Sequence, residues 1–325
     1  MNREVWSSRD VLLLAALIAL ALNLRAPFTA VAPIVSEIQA ELGINKTVAG
    51  LLTSIPVLCF GLVAPFASRC IARTSVETAV MLTLTGVVIG IGVRSAGGIA
   101  VALTGTLLIG ASITIGNIVA LVIIARDFPG RTATVMGLYT SALNIGPMLT
   151  AGLSEPLSKL VGWRWALVSW AVFGVVAMAL WRQVIAGQRA SEAKDASAEL
   201  AAVEPAPSEL AHVLHRPVVW LLVAAFAAHL LNYYGLSAWL PEYLQQAGGL
   251  TPTVAGLATA YFQLFALAGT LGVPAILSRG RVKPATLLLV ISIAWLITTI
   301  GLLMLPRLWP AWCIAGGFAS GGGVT

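Results

Sequence analysis

Ten stretches of this sequence are apolar over roughly the thickness of a bilayer: 11–35, 48–68, 76–93, 99–125, 133–153, 165–184, 218–240, 254–277, 285–305 and 311–325. A helix needs about 20 such residues to cross the hydrocarbon core, and in lipid its backbone groups must bond to one another. No Asp or Glu lies in the interior of any stretch, and Glu77 stands only at the edge of the third. The pattern predicts an all-α, polytopic membrane protein. Composition agrees: 58% of residues are hydrophobic and 10% are charged, against about 25% charged in soluble domains. The first run continues through Arg25 and Pro33 with no small-residue cleavage site, so it reads as a retained span rather than a signal peptide.

The net charge of +6 does not read as a nucleic-acid footprint, because the basic residues sit between apolar segments, where they set topology. With a cytoplasmic N-terminus, thirteen Lys and Arg fall inside, and five fall outside: Lys46, Arg94, Lys159, Arg164 and Arg307. That bias predicts the cytoplasmic N-terminus. Cys59, Cys70 and Cys313 form no Cys-x-x-Cys pair, so neither a metal site nor a cofactor is expected.

Connections are short except for 185–217, which carries Glu192, Lys194, Asp195, Glu199, Pro205, Pro207 and Glu209. It reads as a cytoplasmic linker between a six-helix unit, 1–184, and a second unit, 218–325, with a surface helix expected over 190–202. The units resemble each other. Thr47-Val48-Ala49-Gly50-Leu51 recurs 206 residues later as Thr253-Val254-Ala255-Gly256-Leu257, and each copy opens a span. Leu22-Asn23 and Pro33 are matched by Leu231-Asn232 and Pro241, Ser68-Arg69 by Ser278-Arg279, and Gly110 and Gly116 by Gly316 and Gly322. Two parallel repeats joined in this way place a solute site near the midplane between them. Six plus six helices are expected of such a duplication. The chain ends inside the tenth, which implies a truncated or degenerate second unit.

Arg25 is the candidate that carries most of the functional argument. It lies about two thirds of the way along the first span, where a charge costs about 2.5–3.5 kcal/mol on insertion scales. Such residues line hydrated cavities, although a long side chain can also snorkel outward. Pro27 loosens the helix beside it. The guanidinium fork suits an anion or a planar polar group, and no acid in the span interiors competes for it. The seventh span is the most polar, with His229, Asn232 and Tyr233 on one face. His229 is a candidate proton carrier. Gln263 on the eighth span, Asn117 on the fourth, and Tyr139 and Asn144 on the fifth complete the set. Gly105, Gly110 and Gly116 read as close helix packing.

At Asn23-Leu24-Arg25-Ala26-Pro27-Phe28-Thr29, followed by Ala32-Pro33, the chain resembles the cyanate permease and nitroimidazole transporter branch of the major facilitator superfamily. The similarity continues through Thr47–Leu51, Gly116-Asn117, Arg126-Asp127-Phe128-Pro129, Gly137-Leu138-Tyr139 and Trp239-Leu240-Pro241. The loop after the second span keeps Gly61, Arg69 and Arg73 of the superfamily's pattern but lacks its Asp, and Gly146-Pro147 looks like part of an antiporter motif of drug exporters. The resemblance implies the major facilitator fold in a bacterial inner membrane. It further implies a monomeric secondary active transporter, in contact with lipid, that moves a small anionic or polar solute by alternating access, with protons as a candidate coupling ion. Cyanate-like and nitroimidazole-like solutes both suit Arg25.

Two other classes compete. A membrane transferase needs acidic or histidine clusters at a membrane face; His212 and His215 have none. A non-transporting sensor or an inactive truncated carrier is the alternative that the chain length suggests.

Overall fold

The computed structural model describes residues 6–192, 216–278 and 282–323, and every regular element among them is helical. Nine α-helices come first: α1 (Ser8–Thr29), α2 (Val35–Leu42), α3 (Lys46–Leu62), α4 (Ala64–Arg73), α5 (Val76–Ala96), α6 (Ile99–Asp127), α7 (Thr132–Val161), α8 (Trp163–Ser169) and α9 (Ala171–Glu192). Four more follow the described gap: α10 (Pro217–Gln246), α11 (Pro252–Ser278), α12 (Pro284–Met304) and α13 (Trp309–Gly322). Helix α9 runs eight residues past the predicted end of the sixth span, into the stretch expected to be linker. Residues 193–202 of the expected surface helix lie outside the described residues.

Local chemistry sets several boundaries. Ser7 and Asp10 form a reciprocal capping box at the start of α1, each bond 3.1 Å. Gly43, at φ 63°, supplies the left-handed residue that ends α2. Two residues later the Asn45 side chain accepts from Val48 N at 2.9 Å and opens α3. Ser75 caps α5 in the same way. The first predicted span is broken: α1 stops at Thr29, a 3-10 turn covers Ala32–Ile34, and α2 continues. Pro27 and Pro33 lack the N–H donors that an unbroken helix would use here.

Seven helical stretches among the described residues are long and apolar enough to cross a membrane, and an eighth is the pair α3 and α4, bent by 60°. The other two of the ten predicted segments fall in α7 and α13. Helix α7 is long enough at 30 residues, but Ser, Thr, Asn, Glu and Lys dilute its apolar character. It packs against both α1 and α11, so much of its surface faces protein. Helix α13 has 14 residues, about 21 Å at 1.5 Å per residue.

The buried apolar side chains of the first nine helices gather in two clusters, and those of the last four in a third. Glycine sets the closest approaches. A Cβ at Gly105 would lie 2.3 Å from Arg94 N, which lets α6 run against α5. On α13, a Cβ at Gly321 would lie 1.8 Å from the Ala266 carbonyl oxygen of α11. Small residues let helix backbones approach where lipid supplies no hydrophobic drive.

The repeated pentapeptide has a structural meaning. Gly50 of the first copy faces Trp239 of α10, its Cβ position 2.9 Å from the indole. Gly256 of the second copy faces the Ala151 carbonyl of α7 at 2.9 Å, with Pro33 behind it. Each copy therefore puts its glycine where the first nine helices meet the last four. Lys46 pairs with Glu242 at 3.3 Å at the same end of the bundle.

Gly321→Val is expected to lower stability by about 1–3 kcal/mol or more, as overpacking does. Gly61→Ala, with nothing within 4 Å of its Cβ position, is expected to be neutral or slightly stabilising. Thermal unfolding of the two purified variants in detergent reads the difference.

Candidate functional site

A cavity of about 10 Å³ lies where α1, α7, α10, α11 and α13 converge, lined by Arg25, Thr140, Leu143, Asn144, Leu230, Tyr233, Thr270, Ser320 and Gly321. Arg25 projects from α1 two residues before Pro27. Its guanidinium carbon sits 4.9 Å from the Tyr233 ring centroid and 6.0 Å from that of Tyr234. Tyr139, buried on α7, is also within its electrostatic reach, and no acid among the described residues is paired with it. A desolvated cation–π contact is worth about 2 kcal/mol. Two such faces are comparable to the insertion cost of the charge. Aromatic rings thus support the cation without consuming it in an ion pair.

The rings are themselves fixed. Tyr233 donates its hydroxyl to Gln263 Oε1 at 3.2 Å, and Gln263 Nε2 donates to Ser237 Oγ at 3.3 Å, all buried. Tyr234 packs edge-on against Tyr233 at 5.1 Å and against Phe28 at 5.6 Å, with Phe60 at 5.8 Å. Asn144 Nδ2 donates to the Thr140 carbonyl at 3.1 Å and across to Thr270 Oγ1 on α11 at 3.3 Å.

Of the predicted residues, Arg25, Asn144 and Tyr233 line the cavity, Gln263 orients Tyr233, and Tyr139 stands behind Arg25. Three do not line it. Asn232 Nδ2 donates to Thr299 Oγ1 on α12 at 3.0 Å, so its side chain is committed to the packing of α10 on α12. His229 stacks between Phe226 at 6.5 Å and Trp295 at 5.8 Å, beside Gly323. Asn117 is half-buried on α6. Positions three and four apart share a helix face, but that spacing does not tell which neighbour the face meets. Thr140, Thr270, Ser320 and Tyr234 were not singled out by the sequence. Small hydroxyl residues are too common in apolar spans to signal a site, and Tyr234 is marked only by adjacency to Tyr233.

Two charged residues need correction. Arg94, assigned to an outer connection, is 1% exposed near the end of α5. Its Nη1 donates to the Pro27 carbonyl at 2.6 Å. That carbonyl is available because the helix changes register here: Val31 N turns to Phe28 O, at 3.4 Å, in a 3-10 pattern. Arg94 thus closes the break two residues from Arg25. Glu155, just beyond the predicted fifth span, lies inside α7 and is likewise 1% exposed.

Comparisons with known proteins agree with this architecture. The family model of the Major Facilitator Superfamily matches residues 11–325. An uncharacterized transporter of Bacillus subtilis, YycB, is 30% identical over 82% of the chain, and the chain spans 64% of that relative's length. The 2-nitroimidazole transporter of Escherichia coli is 26% identical over 96% of the chain and 77% of its own length. The cyanate transport protein CynX of the same organism is 29% identical over 95% and 78%. Among solved structures, a bacterial homolog of the human lysosomal transporter Spinster superimposes with a TM-score of 0.68 at 16% identity, covering 98% of this chain and 75% of that one. A D-xylose–proton symporter gives 0.64 at 15%, covering 96% and 80%. The multi-helix bundle, the match across nearly its whole length and the relatives named as transporters make this chain a multi-pass membrane protein of the Major Facilitator Superfamily, a family of transporters and not of enzymes.

Proposed function

We propose that the protein carries a small anionic or planar polar solute across a bacterial inner membrane by alternating access. Two units, 1–184 and 218–325, rock about the cavity, with the N-terminus and the 185–217 linker in the cytoplasm. The observation that carries this reading is the Arg25 guanidinium, set against the Tyr233 and Tyr234 rings at the meeting of the two units, with no acid among the described residues paired to it. Its donors are suited to a carboxylate-sized or cyanate-sized anion or to a nitro group. The similarity to proteins named for 2-nitroimidazole and cyanate transport supports the same two solute classes.

In this arrangement the cavity has room for about one water, so admitting a solute requires the units to part. Tyr233 and Asn144 then form the walls beside Arg25, with Gln263 holding Tyr233 and Thr270 holding Asn144. Asn117, His229 and Asn232 are left out of the binding set, because their side chains do not line the cavity.

The full chain reconstituted in proteoliposomes should take up or exchange cyanate or 2-nitroimidazole. Arg25→Ala is expected to lower that flux by about 10- to 100-fold, the loss of one charge-assisted bond, with unchanged membrane insertion. Wild-type flux in this variant discards the role. Tyr233→Phe, which keeps the ring over Arg25, is expected to change apparent affinity by less than about threefold. Tyr233→Leu, which removes the ring, is expected to weaken it by about 10-fold or more. Equal effects of the two would remove the cation–π contribution from the account.

A further inference from the structure

Arg25 supplies hydrogen-bond donors at one side of the cavity, and Asn144 lines it from α7. The Asn144 amide spends both of its hydrogens: Nδ2 donates to the Thr140 carbonyl at 3.1 Å and to Thr270 Oγ1 at 3.3 Å. A backbone carbonyl can only accept, so the nitrogen has to lie on that side and the amide cannot be turned over. What the side chain still offers a solute is Oδ1, an acceptor with two lone pairs. No donor among the described residues is bonded to it.

The hydroxyls of the same lining are spent in the same sense. Thr140 Oγ1 donates to the Met136 carbonyl at 2.8 Å, and Thr270 Oγ1 donates to the Ala266 carbonyl at 3.0 Å. The Tyr233 hydroxyl donates to Gln263 Oε1 at 3.2 Å. A hydroxyl has one hydrogen and two lone pairs, so each of these three is left with lone pairs alone. Only the Ser320 hydroxyl can serve either way. The polar lining is therefore divided: a cationic donor on α1, and acceptors on the α7 wall.

We infer that Asn144 is a specificity-determining residue whose Oδ1 reads a hydrogen-bond donor on the solute. The solute class that fits carries an anionic or acceptor group for Arg25 and an N–H or O–H group for Asn144. A solute without the donor would bury Oδ1 against its own lone pairs, and a buried acceptor left unpaired costs more than a formed bond gains. A site built around such a bond rejects an analogue that lacks the donor far better than an apolar pocket rejects a change of size. A planar ring with an N–H beside its acceptor substituent meets both ends. Cyanate, a linear anion with no hydrogen, meets only the Arg25 end. This selectivity presumes the solute site proposed above and narrows what that site accepts.

The test is equilibrium binding of a matched pair of probes, 2-nitropyrrole and 2-nitrofuran, to the purified full chain in detergent. Both are small planar rings with the nitro group beside the heteroatom, both are uncharged at neutral pH, and only the pyrrole carries an N–H. The pyrrole should bind about 10-fold or more tightly than the furan. Arg25→Ala should weaken both probes and keep their ratio, because both present the same nitro group. Asn144→Leu should erase the ratio, whatever it does to the two affinities themselves. Asn144→Ala takes its place if Asn144→Leu does not fold. Equal binding of the two probes to the wild type overturns the inference and leaves the solute site standing. A ratio that survives the loss of the Asn144 amide also overturns it, since another group then reads the donor. Binding of neither probe overturns the inference together with the planar polar solute that it presumes.

Discussion

A guanidinium below the membrane surface persists only where protein groups or enclosed water take up its charge, and this requirement organises the centre of the molecule. Tyr233 and Tyr234 of α10 turn their faces to Arg25 of α1. They can do so because Gln263, Phe28 and Phe60 fix the two rings from three other directions. An acidic partner would neutralise the cation as well, but it would also occupy its N–H donors. Aromatic support leaves the charge tolerated by the protein without an ion pair among the described residues.

Around that centre, small residues do the joining. Gly105 brings α6 to α5, and Gly317 and Gly321 bring α13 to α11, at separations that a methyl group would prevent. Between the first nine helices and the last four, α7 lies close against α11 through Gly152 and Gly256, and polar contacts join the same two sets: Asn144 with Thr270, Lys46 with Glu242, and Lys159 with Thr253. Close packing therefore runs both within each set of helices and across the α7–α11 seam between them.

Much of this was readable from the residues alone. The apolar segments, the helical class and the singular position of Arg25 follow from the cost of exposing backbone and charge to lipid, and that cost acts along the sequence. The duplication was visible as a repeated pentapeptide, but its purpose was not. Only the packing shows that Gly50 and Gly256 each press against the opposite set of helices. Where the sequence misled, the cause was direction in space. His229 and Asn232 share a helix with Tyr233 but look toward α12 and its neighbours. Arg94 was placed by its distance from the apolar runs, whereas the helices extend past those runs and carry both Arg94 and Glu155 inward.

The bond from Arg94 to the Pro27 carbonyl ties the third crossing of the chain to the interruption in the first. A carbonyl freed at a helix break must be met by a donor from within the protein, since lipid provides none. Sliding α1 along α5 would break this bond. The bond couples α1 to α5 two residues from Arg25. The interruption near Arg25, which looks like a weak point in α1, is in this respect a clamped joint.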